Sequence, residues 1–310
     1  MKTGARNRSK VLGAVDEMNP VRLSVIVPIY NEQLSVAETA RTLESVAASI
    51  DGAAEVIFVD DGSDDGTAAE LGSLEGNCFR VVRHEENLGY GAALKTGLRE
   101  ARAELVAITD ADGTCPAARL PELLQEMEAA GADMIVGARV GPEAKVPLVR
   151  RPAKWLLNLL ANALAGKRIP DLNSGLRIMK RGAVERFLNI LPDGFSFTTT
   201  ITLAMLTKGY RVRFTPIDYH PRKGRSKIRP LRDTLNFIQL ICRTTLYFNP
   251  LRIFVPASLA LAALAVLVLV GSRLFLDRIM DVTFGVILMT AVMVLAIGML
   301  ADLIDKRTES

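Results

Sequence analysis

Two carboxylates one residue apart, Asp110 and Asp112, follow the apolar run 104–109 (ELVAIT). The run reads as a buried strand, and residues i and i+2 of a strand share a face. Both carboxyl groups would then look the same way from the strand's carboxyl end. Like charges that close repel and raise a pKa, unless something positive lies beside them. The other reading is a turn in which each Asp bonds its own backbone. The pair alone leaves both open.

Other apolar segments end in residues of the same kind. LSVIVPIY (23–30) runs into Asn31 and Glu32, and EVIFVDDGS (55–63) carries Asp60 and Asp61. RVVRHEEN (80–87) ends at Asn87, and DMIVGAR (133–139) is a further strand. Helix patterns follow at about 35–50, 67–74, 91–101 and 120–130. Strands alternating with helices, and apolar almost throughout, predict a mostly parallel sheet covered on both faces. In such sheets ligands bind beyond the carboxyl ends of the strands, where these acids and amides fall. No G-x-x-x-x-G-K or G-x-G-x-x-G pattern is present, which argues against a P-loop or a dinucleotide fold.

The chain has 310 residues, enough for an α/β domain of roughly 200–250 residues and something more. Aromatic residues make up 5%, which speaks against a lectin-like surface. Cys78, Cys115 and Cys242 are scattered and odd in number, as expected of reduced thiols with no disulfide framework and no zinc site. Two histidines, His84 and His220, leave little room for histidine chemistry.

Mean hydropathy is +0.24, and the apolar excess lies at the end of the chain. Residues 251–271 and 282–303 are two nearly uncharged runs of membrane-crossing length, read as a hairpin spanning 251–304. Cations crowd before it. Between Tyr210 and Arg252 stand ten Lys and Arg against two acids, a local balance of +8. Lys306 and Arg307 follow in the tail 305–310. The positive-inside rule therefore predicts a multi-pass protein of the inner (plasma) membrane with its large domain cytoplasmic. Residues 1–20 read as a flexible basic tail. Residues 231–250 read as an amphipathic helix lying on the bilayer.

The motifs also carry a resemblance. IVPIYNE (26–32), VDDGSDDGT (59–67), ENLGYGAALKTG (86–97), TDADG (109–113), VGAR (136–139) and DLNSGLRIMKR (171–181) follow each other in the order of family 2 glycosyltransferases. RKGRSKI (222–228), before an interfacial helix and transmembrane segments, resembles the dolichol- or polyprenyl-phosphate sugar synthases within it. The match covers about residues 22–230, and implies a GT-A (Rossmann-like) α/β domain over 21–230.

The resemblance implies that Pro28, Tyr30, Asn31, Glu32, Asp60, Asp61, Asn87, Gly89, Lys95 and Ala111 belong to the nucleotide-sugar site. It implies that Asp110 and Asp112 bind Mg²⁺ or Mn²⁺ on the diphosphate; hard oxygen ligands suit either ion. Arg222, assigned a catalytic role, with Arg225 and Lys227 would cover the phosphates, while Arg139, Arg150 and Ser174 would receive the acceptor phosphate. The implied partners are a nucleotide-diphosphate sugar of GDP-mannose or UDP-glucose type, a polyprenyl phosphate and the membrane. Nucleic acid is not among them, and a homo-oligomer is compatible with the sequence.

One stretch departs from the family. Where many relatives carry an acid, this chain reads FSFTTTITL (195–203). A hydroxyl acceptor needs a positioned base, whereas a lipid phosphate is already ionised, so the departure favours a phosphate nucleophile. The expected reaction is inverting hexosyl transfer to polyprenyl phosphate. Its rivals are transfer to a lipid hydroxyl or growing glycan, and a non-catalytic membrane scaffold.

Overall fold

The apolar runs build the centre of a seven-stranded sheet in the computed structural model. The structure describes residues 21–139 apart from 75 and 77, 169–218 apart from 195, 250–275 and 280–308, together with Asn162, Gly166 and Leu246. In chain order the strands are β1 (Val21–Ile29), β2 (Ala53–Asp60), β3 (Phe79–Arg83), β4 (Leu105–Ile108), β5 (Met134–Ala138), β6 (Arg177–Lys180) and β7 (Val212–Pro216). They lie in the order β3-β2-β1-β4-β6-β5-β7. Every pairing is parallel except those of β6, which runs antiparallel between β4 and β5.

Alternation along β1 shows why the run is apolar without interruption. Leu23, Val25, Val27 and Ile29 join the core with Val36, Ala40, Leu43 and Val46 of α1 (Val36–Ser49). Leu120, Leu123, Leu124 and Met127 of α4 (Leu120–Ala129) fill the same face. Ile26 points the other way, against Gly97 of α3 (Tyr90–Glu100), where a Cβ would overlap it. A strand buried on both faces cannot alternate with polar residues. The remaining helices are α2 (Thr67–Gly72), α5 (Arg181–Glu185), α6 (Phe197–Thr207), α7 (Leu251–Phe275) and α8 (Asp281–Thr308).

The described residues fall into two compact units, one containing the sheet and the other the long C-terminal helices. Leu251–Leu274 and Asp281–Ile304 have mean hydropathy 2.8 and 2.5. At 1.5 Å per residue each reaches about 36 Å, more than the hydrocarbon core of a bilayer. Leu267, Leu274, Val282 and Met289 are among their exposed side chains, which a soluble core helix would bury. The two helices meet where Ser258 Oγ donates to the Ala291 carbonyl at 2.8 Å, and where Gly298 leaves room for Phe254.

Several elements differ from the expectation. Strand β4 stops at Ile108, so Asp110 and Asp112 lie past it and a turn, not strand alternation, sets their directions. Strands β6 and β7 and helix α6 were not anticipated. The interfacial helix expected at 231–250, the basic tail 1–20, and residues 309–310 of the C-terminal tail lie outside the described residues, apart from Leu246 and Pro250.

Candidate active site

The parallel register puts the ends of β1, β2 and β4 side by side, with Ile29 opposite Asp60 and Ile26 opposite Ile108. The chain then turns through Asp110–Gly113. Thr39 Oγ1 of α1 pins the turn by donating to the Ala111 carbonyl at 3.0 Å. Asp112 Oδ1 accepts from the Thr114 amide at 3.0 Å and its hydroxyl at 2.6 Å, so the backbone-turn reading holds for this residue. Asp110 faces inward. Its Oδ1 accepts from the Tyr90 hydroxyl at 2.9 Å, and its carboxylate lies so close to Gly175 that a Cβ there would overlap it.

Burial, and next the neighbouring Asp112 charge, push the Asp110 carboxyl above its ordinary value. Burial and Asp110 together push the Tyr90 phenol well above its own. The two carboxylates thus hold repulsion that a cation would relieve. Among the described residues no group of three or more His, Cys, Asp or Glu is gathered to enclose a metal. Two carboxylates still fit an ion such as Mg²⁺, which keeps waters and takes its remaining oxygens from substrate phosphates.

The side of the turn nearest β1, β2 and β3 gathers acceptors bonded mostly by nearby amides and hydroxyls, although Asp60 Oδ2 is buried without a hydrogen bond among the described residues. Asp60 is 1% exposed; its Oδ1 accepts from the Ser63 amide, and Arg83 Nε stands 3.3 Å from its Oδ2. Asp61 accepts from the Leu88 and Gly89 amides and pairs with His84 Nδ1 at 2.7 Å. It therefore shapes the connection between β3 and α3. Asn31, at φ +57°, donates from Nδ2 to Asp64 Oδ1 and accepts from the Asp64 amide at its own Oδ1, and the Glu32 amide donates to Thr67 Oγ1. Pro28 is buried opposite Val59, Tyr30 is 40% exposed and Asn87 is exposed.

Gly89 and Lys95 have structural work here. Gly89 sits at φ +106°, and a Cβ would stand 2.5 Å from the Asp193 carbonyl oxygen. That carbonyl accepts from the Gly91 and Ala92 amides at the start of α3, and Lys95 Nζ reaches Asp193 Oδ1 at 2.7 Å.

Past the turn the charges change sign. Arg139 forks onto Asp171, Nε to Oδ2 at 2.6 Å and Nη2 to Oδ1 at 2.9 Å, with its amide on Oδ2 as well. Burial alone would raise the Asp171 carboxyl, but these bonds and the Arg139 charge outweigh it and hold it below its ordinary value. Ser174 is fully buried, and its hydroxyl has no partner among the described residues.

Arg177, in the middle of the sheet on β6, heads the largest side chains that are fully buried. Its Nε and Nη2 donate to the Ser174 carbonyl; Nη1 donates to the Thr198 carbonyl and to Thr202 Oγ1, both at 3.0 Å. Burial brings its pKa down to about 10, so it stays charged at neutral pH.

The structure thus brings Asp110, Ala111, Asp112, Asp60, Asp61, Asn31, Glu32, Arg139 and Ser174 to one edge of the sheet, the carboxyl ends of the parallel strands. Arg150, Arg222, Arg225 and Lys227 lie outside the described residues. Tyr90, Asp171 and Arg177 escaped the sequence reading. Only LGYG and DLNSGLR, already marked as motifs, held a signal for them.

The glycosyl transferase family 2 model matches residues 24–188. A dodecaprenyl-phosphate galacturonate synthase of Rhizobium johnstonii is 27% identical over 96% of this chain and 91% of its own. An undecaprenyl-phosphate 4-deoxy-4-formamido-L-arabinose transferase of Pseudomonas fluorescens is 30% identical over 79% of this chain and 71% of its own. The crystal structure of glucosyl-3-phosphoglycerate synthase from Mycobacterium tuberculosis with uridine diphosphate superposes with a TM-score of 0.56, covering 73% of this chain and 80% of that one at 19% identity. That likeness is one of fold.

Proposed function

Because the chain belongs to glycosyl transferase family 2, we propose that it is a membrane-anchored inverting enzyme that moves a sugar from a nucleotide diphosphate onto a polyprenyl phosphate. One observation carries this reading. The likeness to the dodecaprenyl-phosphate galacturonate synthase runs through 96% of the chain, so it takes in the long apolar helices as well as the sheet. The donor in this reading is a nucleotide-diphosphate hexose of GDP-mannose or UDP-glucose type. The sheet unit faces the cytoplasm, in keeping with the Lys and Arg that precede the first long helix.

In this reading a phosphate oxygen of the lipid attacks the anomeric carbon from the face opposite the diphosphate. The new C–O bond forms as the bond to the diphosphate breaks, and the nucleoside diphosphate leaves with the electron pair. Phosphate monoesters are mostly ionised at pH 7, so no side chain has to remove a proton. The helix FTTTITLAMLT, free of His, Asp and Glu, agrees with that.

Asp110 and Asp112 would hold a Mg²⁺ or Mn²⁺ ion, which supplies positive charge to the departing diphosphate when bound. Pro28, Tyr30, Asn31, Glu32, Asp60 and Asn87 would shape the nucleoside site, which Asp61 and Gly89 support from behind. Arg222, Arg225 and Lys227 would meet the diphosphate. Arg139, Arg150 and Ser174 would meet the acceptor. The test is incubation of the purified chain with labelled UDP- and GDP-sugars, undecaprenyl phosphate and Mn²⁺. Label is expected in the lipid fraction as an inverted phosphodiester. A neutral polyprenol that outperforms its phosphate would sink the proposal.

A further inference from the structure

Arg177 is a costly residue where it stands. A guanidinium taken fully out of water loses several kcal/mol of solvation, and an apolar side chain of similar volume would satisfy packing at lower cost. Among the described residues all its bonds go to neutral oxygens, two of them to the one carbonyl of Ser174. No described carboxylate therefore cancels the charge by direct contact. The nearby carboxylates that act on it through space are Asp171 and Asp110, with Arg139 opposing.

The geometry is equally specific. β6 holds Arg177 opposite Ile108 of β4 on one side and Val136 of β5 on the other. Its fork clamps the Ser174 carbonyl, and the next residue is Gly175, where a Cβ would overlap the Asp110 carboxylate. Thr198 and Thr202 of α6 close the other end of the fork, and Thr199 Oγ1 bonds Asn173 Oδ1 in the same turn. One buried cation thus fixes the backbone that carries Ser174, the wall behind Asp110 and the start of the acid-free helix.

We propose that Arg177 is a positioning residue for the acceptor: it fixes the Ser174–Gly175 turn against Asp110 and supplies a buried positive field that draws an anionic phosphate to that wall. This rests on the reading of the site as that of a polyprenyl-phosphate glycosyltransferase. Arg177 itself touches no reacting atom. A purely structural residue would change both substrates alike, whereas this role falls on the acceptor, because Asp110 is held separately by the Tyr90 hydroxyl at 2.9 Å.

The experiment compares Arg177→Met, Arg177→Lys and Thr202→Val in the full chain in vesicles, with undecaprenyl phosphate and the nucleotide sugar that wild type uses. Arg177→Met is expected to raise the KM for the lipid about tenfold, the worth of a charge-assisted contact, with the donor KM held within about twofold. Arg177→Lys keeps the charge and loses the fork, and is expected to recover part of the shift. Thr202→Val leaves the guanidinium in place and is expected to give about a threefold rise in the same KM by removing one neutral bond.

If Arg177→Met fails to fold, Thr202→Val decides: an unchanged lipid KM there overturns the proposal. Equal shifts in both KM values, or a Lys variant no better than Met, overturn it as well. A wild-type protein that transfers nothing to polyprenyl phosphate overturns the underlying reading instead.

Discussion

On the β1–β2–β3 side of the Asp110 turn the buried charges are carboxylates, Asp60 and Asp61; on the β6 side they include a guanidinium, Arg177. The first side satisfies its charges with amides from its own loops, at Ser63, Leu88 and Gly89, with Arg83 and His84 alongside. The second satisfies its cation with two carbonyls and one hydroxyl, from helix α6 and the Ser174 turn. The partners are equally near in sequence on the two sides, 3 to 28 residues away on the first and 3 to 25 on the second. The walls therefore differ in the sign of the charge they bury, not in the reach of the contacts that hold it. The carboxylate pair Asp110/Asp112 stands at the change of sign.

The sharpest way to break this comparison is Asp112→Asn. If the pair holds a cation between the walls, turnover is expected to fall more than a hundredfold, about 2.7 kcal/mol of barrier, with the thermal midpoint unchanged within a few degrees. Initial rates in Mn²⁺ and a melting curve check both halves. Retention of more than about a tenth of wild-type turnover, a loss under roughly 1.4 kcal/mol, would exclude the pair as the metal site.

Gly89→Ala tests the claim that the first wall is fixed by its loops. A Cβ at φ +106° would meet the Asp193 carbonyl oxygen at 2.5 Å. The variant is expected to lose about 2–4 kcal/mol of stability, seen as a lower urea midpoint. An unchanged midpoint would mean that the loop is soft.

Asp171→Asn asks how the second wall holds its charge. Loss of the carboxylate that Arg139 forks onto is expected to cost about 1.5–3 kcal/mol at pH 7. The folded carboxyl titrates below its ordinary 3.8. Its stabilising contribution is therefore complete above that value and is lost as pH falls through the lower folded one. The gap in urea midpoint between wild type and variant is expected to stay constant from pH 7 to about 5 and to close on further acidification. A gap that widens in acid would contradict the assigned pairing.

The smallest effect is expected for Lys95→Ala. Its partner Asp193 is 66% exposed, and an ion pair of that kind is worth about 0–1 kcal/mol. Stability is expected to change little, and so is the donor KM if the lysine only braces the 192–194 loop. A donor KM raised about tenfold would instead return Lys95 to the nucleotide-sugar site that the resemblance implied.

Strands β1, β2, β4 and β5 were legible because burial on both faces writes an unbroken apolar run; β3, a half-exposed edge strand, ends at Arg83, four residues before the 80–87 reading, and β2 ends at Asp60, three before the 55–63 reading. The Asp pair was legible as a pair, yet its direction was not, since the strand stops two residues earlier. Helix α6 was hidden by its own composition. Three successive threonines and an isoleucine favour extended backbone, and tertiary contacts to Asn173 and Arg177 override that preference. RIMK is too short for periodicity to mark it as a strand. An arginine at its head reads as a surface residue until the pairing with β4 and β5 is known. Such information resides in which segments meet, and no local window contains it.

β6 also fixes an order of assembly. No strand pairing joins β4 to β5 directly, so the sheet stays in two pieces until the chain has been made as far as Lys180. β3-β2-β1-β4 can pair among themselves once residue 108 has been synthesised, while β5 still awaits β6 and, later, β7. Joining the pieces closes a loop of about seventy residues between Ile108 and Arg177, the kind of distant contact that slows folding. It also withdraws a guanidinium from water in the same step. A nascent chain stalled before that point would carry a finished β3-β2-β1-β4 sheet with an open edge at β4, a ready substrate for chaperones and for mispairing with its neighbours.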